Sequence, residues 1–144
     1  MQRGRPEGLP PFRPSSLDVE AGWTSLAKAL VVRLQGVAPN GITVAAGPNS
    51  VDLVNGSVRW ASQFLKLNTN DDIQDPASLE RACIGVLDRF QDWAAEETGD
   101  PWPAREGEMP RPGVEVKDQL ILPWYGDQGS PALALEPIRR EDLR

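Results

Sequence analysis

Three carboxylates crowd the stretch NDDIQD, at Asp71, Asp72 and Asp75. Oxygen donors at such close quarters are what a hard cation such as magnesium or calcium needs. The spacing departs from the calcium-loop template, which wants a central glycine and a terminal glutamate. A helix start gives the same carboxylates another use, because they cap free N–H groups and complement the helix dipole. That use needs no ligand and is preferred here. A small carboxylate- or magnesium-dependent enzyme is kept as an alternative.

Other chemistry is narrowed by absence from the sequence. The chain has no histidine and one cysteine, Cys83. The commonest general base, the commonest zinc ligand and every Ser-His or Cys-His nucleophile are thereby removed. Cys83 falls on the apolar stripe of a helix and reads as a small buried hydrophobe. No GxGxxG, P-loop or GxSxG motif occurs. The 21 acidic residues could supply a glycosidase-like pair, but nothing in their order marks two that share a cleft. The expectation is a non-enzymatic protein without cofactor or metal.

A different acidic pattern is more informative. Asp88, Asp92 and Glu96 recur at i, i+4 and i+8, where like charges repel, and acids near a helix C-terminus oppose the macrodipole. Residues 71 to 108 hold 11 acids against 3 bases. One reading is a solubility stripe, and the other is a surface for a basic partner. The formal charge of −6 and pI near 4.7 disfavour nucleic acid or an anionic membrane as that partner. The start MQRGRPEGLPPFRPSS lacks the apolar region of a secretion signal, and no apolar run approaches the roughly 20 residues that span a bilayer. A cytoplasmic location, or one within a virion-like assembly, is expected.

The elements that must position these residues are legible in outline. Residues 1–14 hold four prolines and a local charge of +2, the composition of an extended, polyproline-like arm. Its apolar Leu9 and Phe12, with Arg3, Arg5 and Arg13, are candidate contacts to a partner. SSLD at residues 15–18 opens a helix over about residues 17–35, with Trp23, Leu26, Ala27, Leu30 and Leu34 inward and a small-residue face at Ser25, Ala29 and Val32. Asn55-Gly56 predicts a hairpin in which Leu53 opposes Val58 and Val51 opposes Trp60. That register places Val51, Leu53, Val58, Trp60 and Phe64 on one inner face and pairs Asp52 with Arg59 on the other. Asp75 and Pro76 start a second helix, with Leu79, Cys83, Val86, Leu87, Phe90 and Ala94 as its stripe.

Residues 99–113 read as an irregular proline-rich loop carrying Trp102. VEVKDQLILPWY and PALALEPI then read as two strands around a glycine turn. Because neighbouring strand residues point to opposite faces, one of Trp124 and Tyr125 is expected outward. An exposed ring there, with Trp102, would suit a protein interface. The sum is one α+β domain over residues 15–144, order α-β-β-β-α-β-β, with two helices on one face of an antiparallel sheet.

The α-β-β-β-α order over residues 17–97 is also that of double-stranded-RNA-binding domains, but the acidic start of the second helix opposes phosphate contact. With the further strand, the order resembles that of tail-terminator and connector subunits of tailed phages, a resemblance of element order alone over about residues 17–125. It implies a ring-forming assembly subunit that binds copies of itself. An acidic immunity- or antitoxin-type protein binding a basic partner is the alternative.

Overall fold

The computed structural model describes residues 16–103 and 108–143, with side chains described from residue 21 onward. The arm contacts expected at Arg3, Arg5, Leu9, Phe12 and Arg13 lie outside the described residues.

Helix α1 (Ser16–Val37) buries Trp23, Leu26, Ala27, Leu30 and Leu34, the face its spacing predicts. It runs through Gly36 before ending. Its last turn is tied forward by Gln35, whose Nε2 donates to Ile42 O at 3.0 Å while its Oε1 accepts from Val44 N at 2.9 Å. That pair of bonds sets the entry of β1 (Val44–Gly47), which joins β2 (Ser50–Asn55) and β3 (Val58–Phe64) in an antiparallel sheet of order β1-β2-β3.

The β2–β3 register differs from the expected one. Asn55 pairs with Val58, so Gly56 and Ser57 form the turn, and Gly56 takes a positive φ of 64°. Glycine at the first central position is the II′ solution for a two-residue loop. A β-bulge then leaves Trp60 as an extra residue on β3, between the Val54–Arg59 and Leu53–Ala61 pairs, and shifts the later pairing by one, so that Leu53 opposes Ala61 and Val51 opposes Gln63. Two consequences follow. Asp52 and Arg59 still meet, at 2.8 Å, with the carboxylate fully buried. Val58, Trp60 and Phe64, expected inward, are instead 58%, 66% and 54% exposed.

Helix α2 (Pro76–Thr98) matches its sequence signals closely. Asp75 in an extended conformation accepts from Ser78 N at 3.1 Å, Pro76 fills the first turn, and Gly99 ends the helix in the left-handed conformation at φ 75°. Leu79, Cys83, Val86, Leu87, Phe90 and Ala94 are all buried, as is Trp93 on the flank.

The rest of the chain forms a second antiparallel sheet. VEVKDQLILPWY is two strands and not one: β4 (Pro112–Lys117) and β5 (Leu120–Asp127) turn at Asp118-Gln119, with Asp118 at φ 55°. Aspartate tolerates the left-handed region better than most residues, which allows so short a turn without glycine. β6 (Ser130–Ala134) and the short β7 (Ile138–Arg139) pair in succession along the other edge of β5. The strands therefore divide between two sheets. α1 packs on β1 and β2, while α2 bridges the sheets by packing on both β3 and β4. Among the described residues, no helix is long and apolar enough to cross a membrane.

Candidate interaction site

The three aspartates of NDDIQD are each directed at backbone donors. Asp71 Oδ2 accepts from Leu67 N at 2.7 Å and Asn68 N at 3.1 Å, while Oδ1 meets Arg81 at 3.1 Å. The bond from Leu67 N, reinforced by Arg81 and Asn68, holds the Asp71 carboxyl below its usual pKa against the opposing effect of burial. Asp72 accepts from Gln74 N, and Asp75 caps α2. Their geometry is that of a turn leading into a helix. Cys83 is fully enclosed, and burial pushes its thiol up to about 12, which suppresses thiolate formation.

The aromatic residues expected at the partner surface are redistributed. Trp102, placed outward by the sequence reading, is only 9% exposed and meets Phe90 and Tyr125 edge-on, with ring centroids 5.2 and 5.0 Å apart. Gln91 holds the surrounding loop there by donating from Nε2 to the carbonyls of Trp102 and Pro110. Tyr125 is wholly buried and donates its hydroxyl to Leu87 O at 2.7 Å, and burial raises its pKa well above the ordinary phenol value. Trp124 is the outward ring of the pair, half-buried across Gly113, with Nε1 donating to Gly126 O at 3.0 Å. It covers its own sheet more than it offers a free face.

On α1, Ser25 and Ala29 are half-buried and Val32 is 69% exposed. The adjacent Arg33 donates to the carbonyls of Glu136 and Pro137, which brings the C-terminal segment alongside that face. On α2, Asp88 and Glu96 are exposed and Asp92 is half-buried.

The site that sequence reasoning missed lies where the β2–β3 hairpin overhangs the end of α2. A groove of about 510 Å³ is lined by Gly41, Thr43, Leu53, Val54, Trp60 and Glu97 among others. The Glu97 side chain lies against Gly41, whose φ of 97° is a backbone conformation that favours glycine. An exposed indole and a carboxylate thus flank one cleft, next in sequence to Glu96. The large apolar residues of β3, Val58, Trp60 and Phe64, were the available signal. Which of its residues stay outside depends on the bulge and on where α2 stops.

A larger open groove of about 690 Å³ beside β5 and β6 is lined by Glu108, Met109, Arg111 and Asp127 and borders residues outside the described set. Among the described residues no group of three or more acidic or cysteine side chains is placed to hold a metal ion. No family model, curated protein or solved structure matches the chain.

Proposed function

We propose that the chain is a non-enzymatic interaction subunit of a protein assembly, and that it docks a basic partner segment at the tip of the β2–β3 hairpin beside the C-terminal end of α2. The observation that carries this reading is the juxtaposition of Trp60, 66% exposed, with Glu97 in one groove. An indole face attracts a guanidinium through its quadrupole, and a neighbouring carboxylate offers the same group a charge-assisted bond. Asp92 and Glu96 extend the negative field along the helix, which favours encounter with a cationic partner. Large exposed aromatic rings are costly for solubility and are enriched where partners bind.

The test is a titration of the full chain with an arginine- and proline-containing peptide and with an acidic peptide of equal length, followed by tryptophan fluorescence and calorimetry. The basic peptide is expected to bind, with affinity falling as salt rises, and Trp60→Ala and Glu97→Gln are each expected to weaken it. Equal affinity of the wild type and both variants would defeat the reading.

A further inference from the structure

We infer that the segment this groove receives is residues 1–14 of a second copy of the chain, with an arginine of the Arg3-Gly4-Arg5 pair held between Trp60 and Glu97. This rests on the reading of the groove as a docking site for a basic segment and names its occupant.

The placement of the two ends of α1 carries the argument. The 22 residues of α1 separate its first residue, Ser16, from its last, Val37, by about 33 Å at 1.5 Å per residue. The groove sits beyond the second end, since Gly41 and Thr43 follow α1 directly and Glu97 lies near the end of α2. The first end lies toward the opposite pole, where Gly22 is close to Ile73 and the Leu143 carbonyl, and Thr24 bonds to Pro48. The residues before Ser16 therefore join the domain at one pole, and the groove opens at the other.

Arg5 and Arg3 precede Ser16 by 11 and 13 residues, which span roughly 34 and 40 Å in a polyproline conformation at 3.1 Å per residue. To reach its own groove the segment would have to run extended and without a turn along the whole length of α1. A copy stacked end to end instead presents its groove close to where the segment leaves, with length to spare. Charge points the same way, because residues 1–14 carry +2 on a chain of −6. Their four prolines reduce the entropy lost when the segment is ordered. A contact between opposite poles is heterologous, so an open assembly keeps one free groove at one end and one free arm at the other, and it closes into a ring or grows as a filament.

Sedimentation velocity on the full chain, over a range of concentrations at low and high salt, tests this. The wild type is expected to form species larger than a dimer, with association weakened by salt. Trp60→Ala and the double variant Arg3→Ala/Arg5→Ala should each weaken assembly at least about tenfold while circular dichroism stays native. Mixing the two variants is the sharper arm of the test. One retains only a working arm and the other only a working groove, so the mixture should give dimers and nothing larger. Wild-type assembly by the arginine variant, or a mixture that stays monomeric, would overturn the inference. A full chain that is monomeric throughout, yet binds an unrelated arginine-proline peptide in a Trp60-dependent way, would overturn self-docking and leave the interaction reading standing. Failure of that peptide as well would overturn both.

Discussion

Two hairpins of this molecule carry large aromatic rings, and they treat them in opposite ways. In β4–β5, Tyr125 is wholly enclosed and meets Trp102, which in turn meets Phe90 of α2. In β2–β3, Trp60 is two-thirds exposed. Ring size and hydrophobicity do not distinguish the cases. What lies behind each ring does: α2 runs behind Tyr125 and accepts its hydroxyl at Leu87 O, whereas at Trp60 the helix is ending, with Gly99 capping it two residues after Glu97. Burial here is decided by the bulge in β3 and by where a helix stops. One hairpin serves as a wall of the core, and the other projects past it.

The strongest test of that contrast is deletion of the enclosed rings. Tyr125→Ala and Trp102→Ala should each lower stability by about 3–5 kcal/mol, the range for removing a buried aromatic ring. Urea denaturation would show it as a fall in midpoint at nearly constant slope. Tyr125→Phe isolates the hydroxyl and should cost about 1 kcal/mol. A smaller loss on truncating either ring than on truncating Trp60 would break the comparison.

The next effect concerns how the second sheet keeps Trp124. A Cβ at Gly113 would lie 2.5 Å from the indole ring, far inside contact distance. Gly113→Ala must therefore displace the ring or bend β4, and a cost of about 1–3 kcal/mol is expected from such overpacking. Trp124→Ala should relieve the clash, so the double variant should be more stable than the sum of the single losses implies. Strict additivity would show that the ring does not lie across the glycine.

A weaker effect is expected at the turn that leads into α2. Asp71→Asn should cost about 1 kcal/mol near neutral pH, because the carboxylate's bonds to Leu67 N and Asn68 N lose their charge-assisted character. The sign of the pH dependence follows from the lowered pKa of Asp71 relative to 3.8. A carboxyl depressed on folding contributes fully above its unfolded value and loses that contribution as pH falls through its folded value. The gap between wild type and variant should therefore be constant near neutrality and close in acid. A gap that widens in acid would contradict the assignment.

Helix α2 was legible because its signals are local: Asp75 beside Pro76, an apolar stripe at helical spacing, and Gly99 at the end. The β2–β3 register was not, because Asn55-Gly56 and Gly56-Ser57 are adjacent candidates for the same two-residue turn, and the bulge that shifts the later pairing by one residue and so inverts its faces carries no local mark. The extra residue on β3 put Ala61 and Gln63 opposite Leu53 and Val51, in the places expected of Val58 and Trp60, and left Trp60 unpaired. Asp118-Gln119 escaped notice for a related reason, since the turn uses aspartate where glycine or asparagine is the usual mark. Trp102 looked exposed among prolines, yet two carbonyls bonded to Gln91 fold its loop onto the core. The meeting of Trp60 with Glu97 joins residues far apart in sequence through the ends of two elements, and no local pattern encodes it.

The smallest effect on stability is expected at the residue that matters most for the proposed function. Trp60 buries little area within its own domain, so Trp60→Ser should remove only the modest strand preference of the indole, a change of less than about 1 kcal/mol. At low protein concentration the denaturation midpoint should scarcely move, in contrast to Trp102→Ala. At high concentration the comparison becomes informative, because a ring covered by a second copy contributes to apparent stability through association. Wild-type stability should then rise with concentration and Trp60→Ser stability should not. A Trp60→Ser loss comparable to that of Tyr125→Ala, at every concentration, would mean that the indole is enclosed within its own chain, and the contrast between the two hairpins would fall.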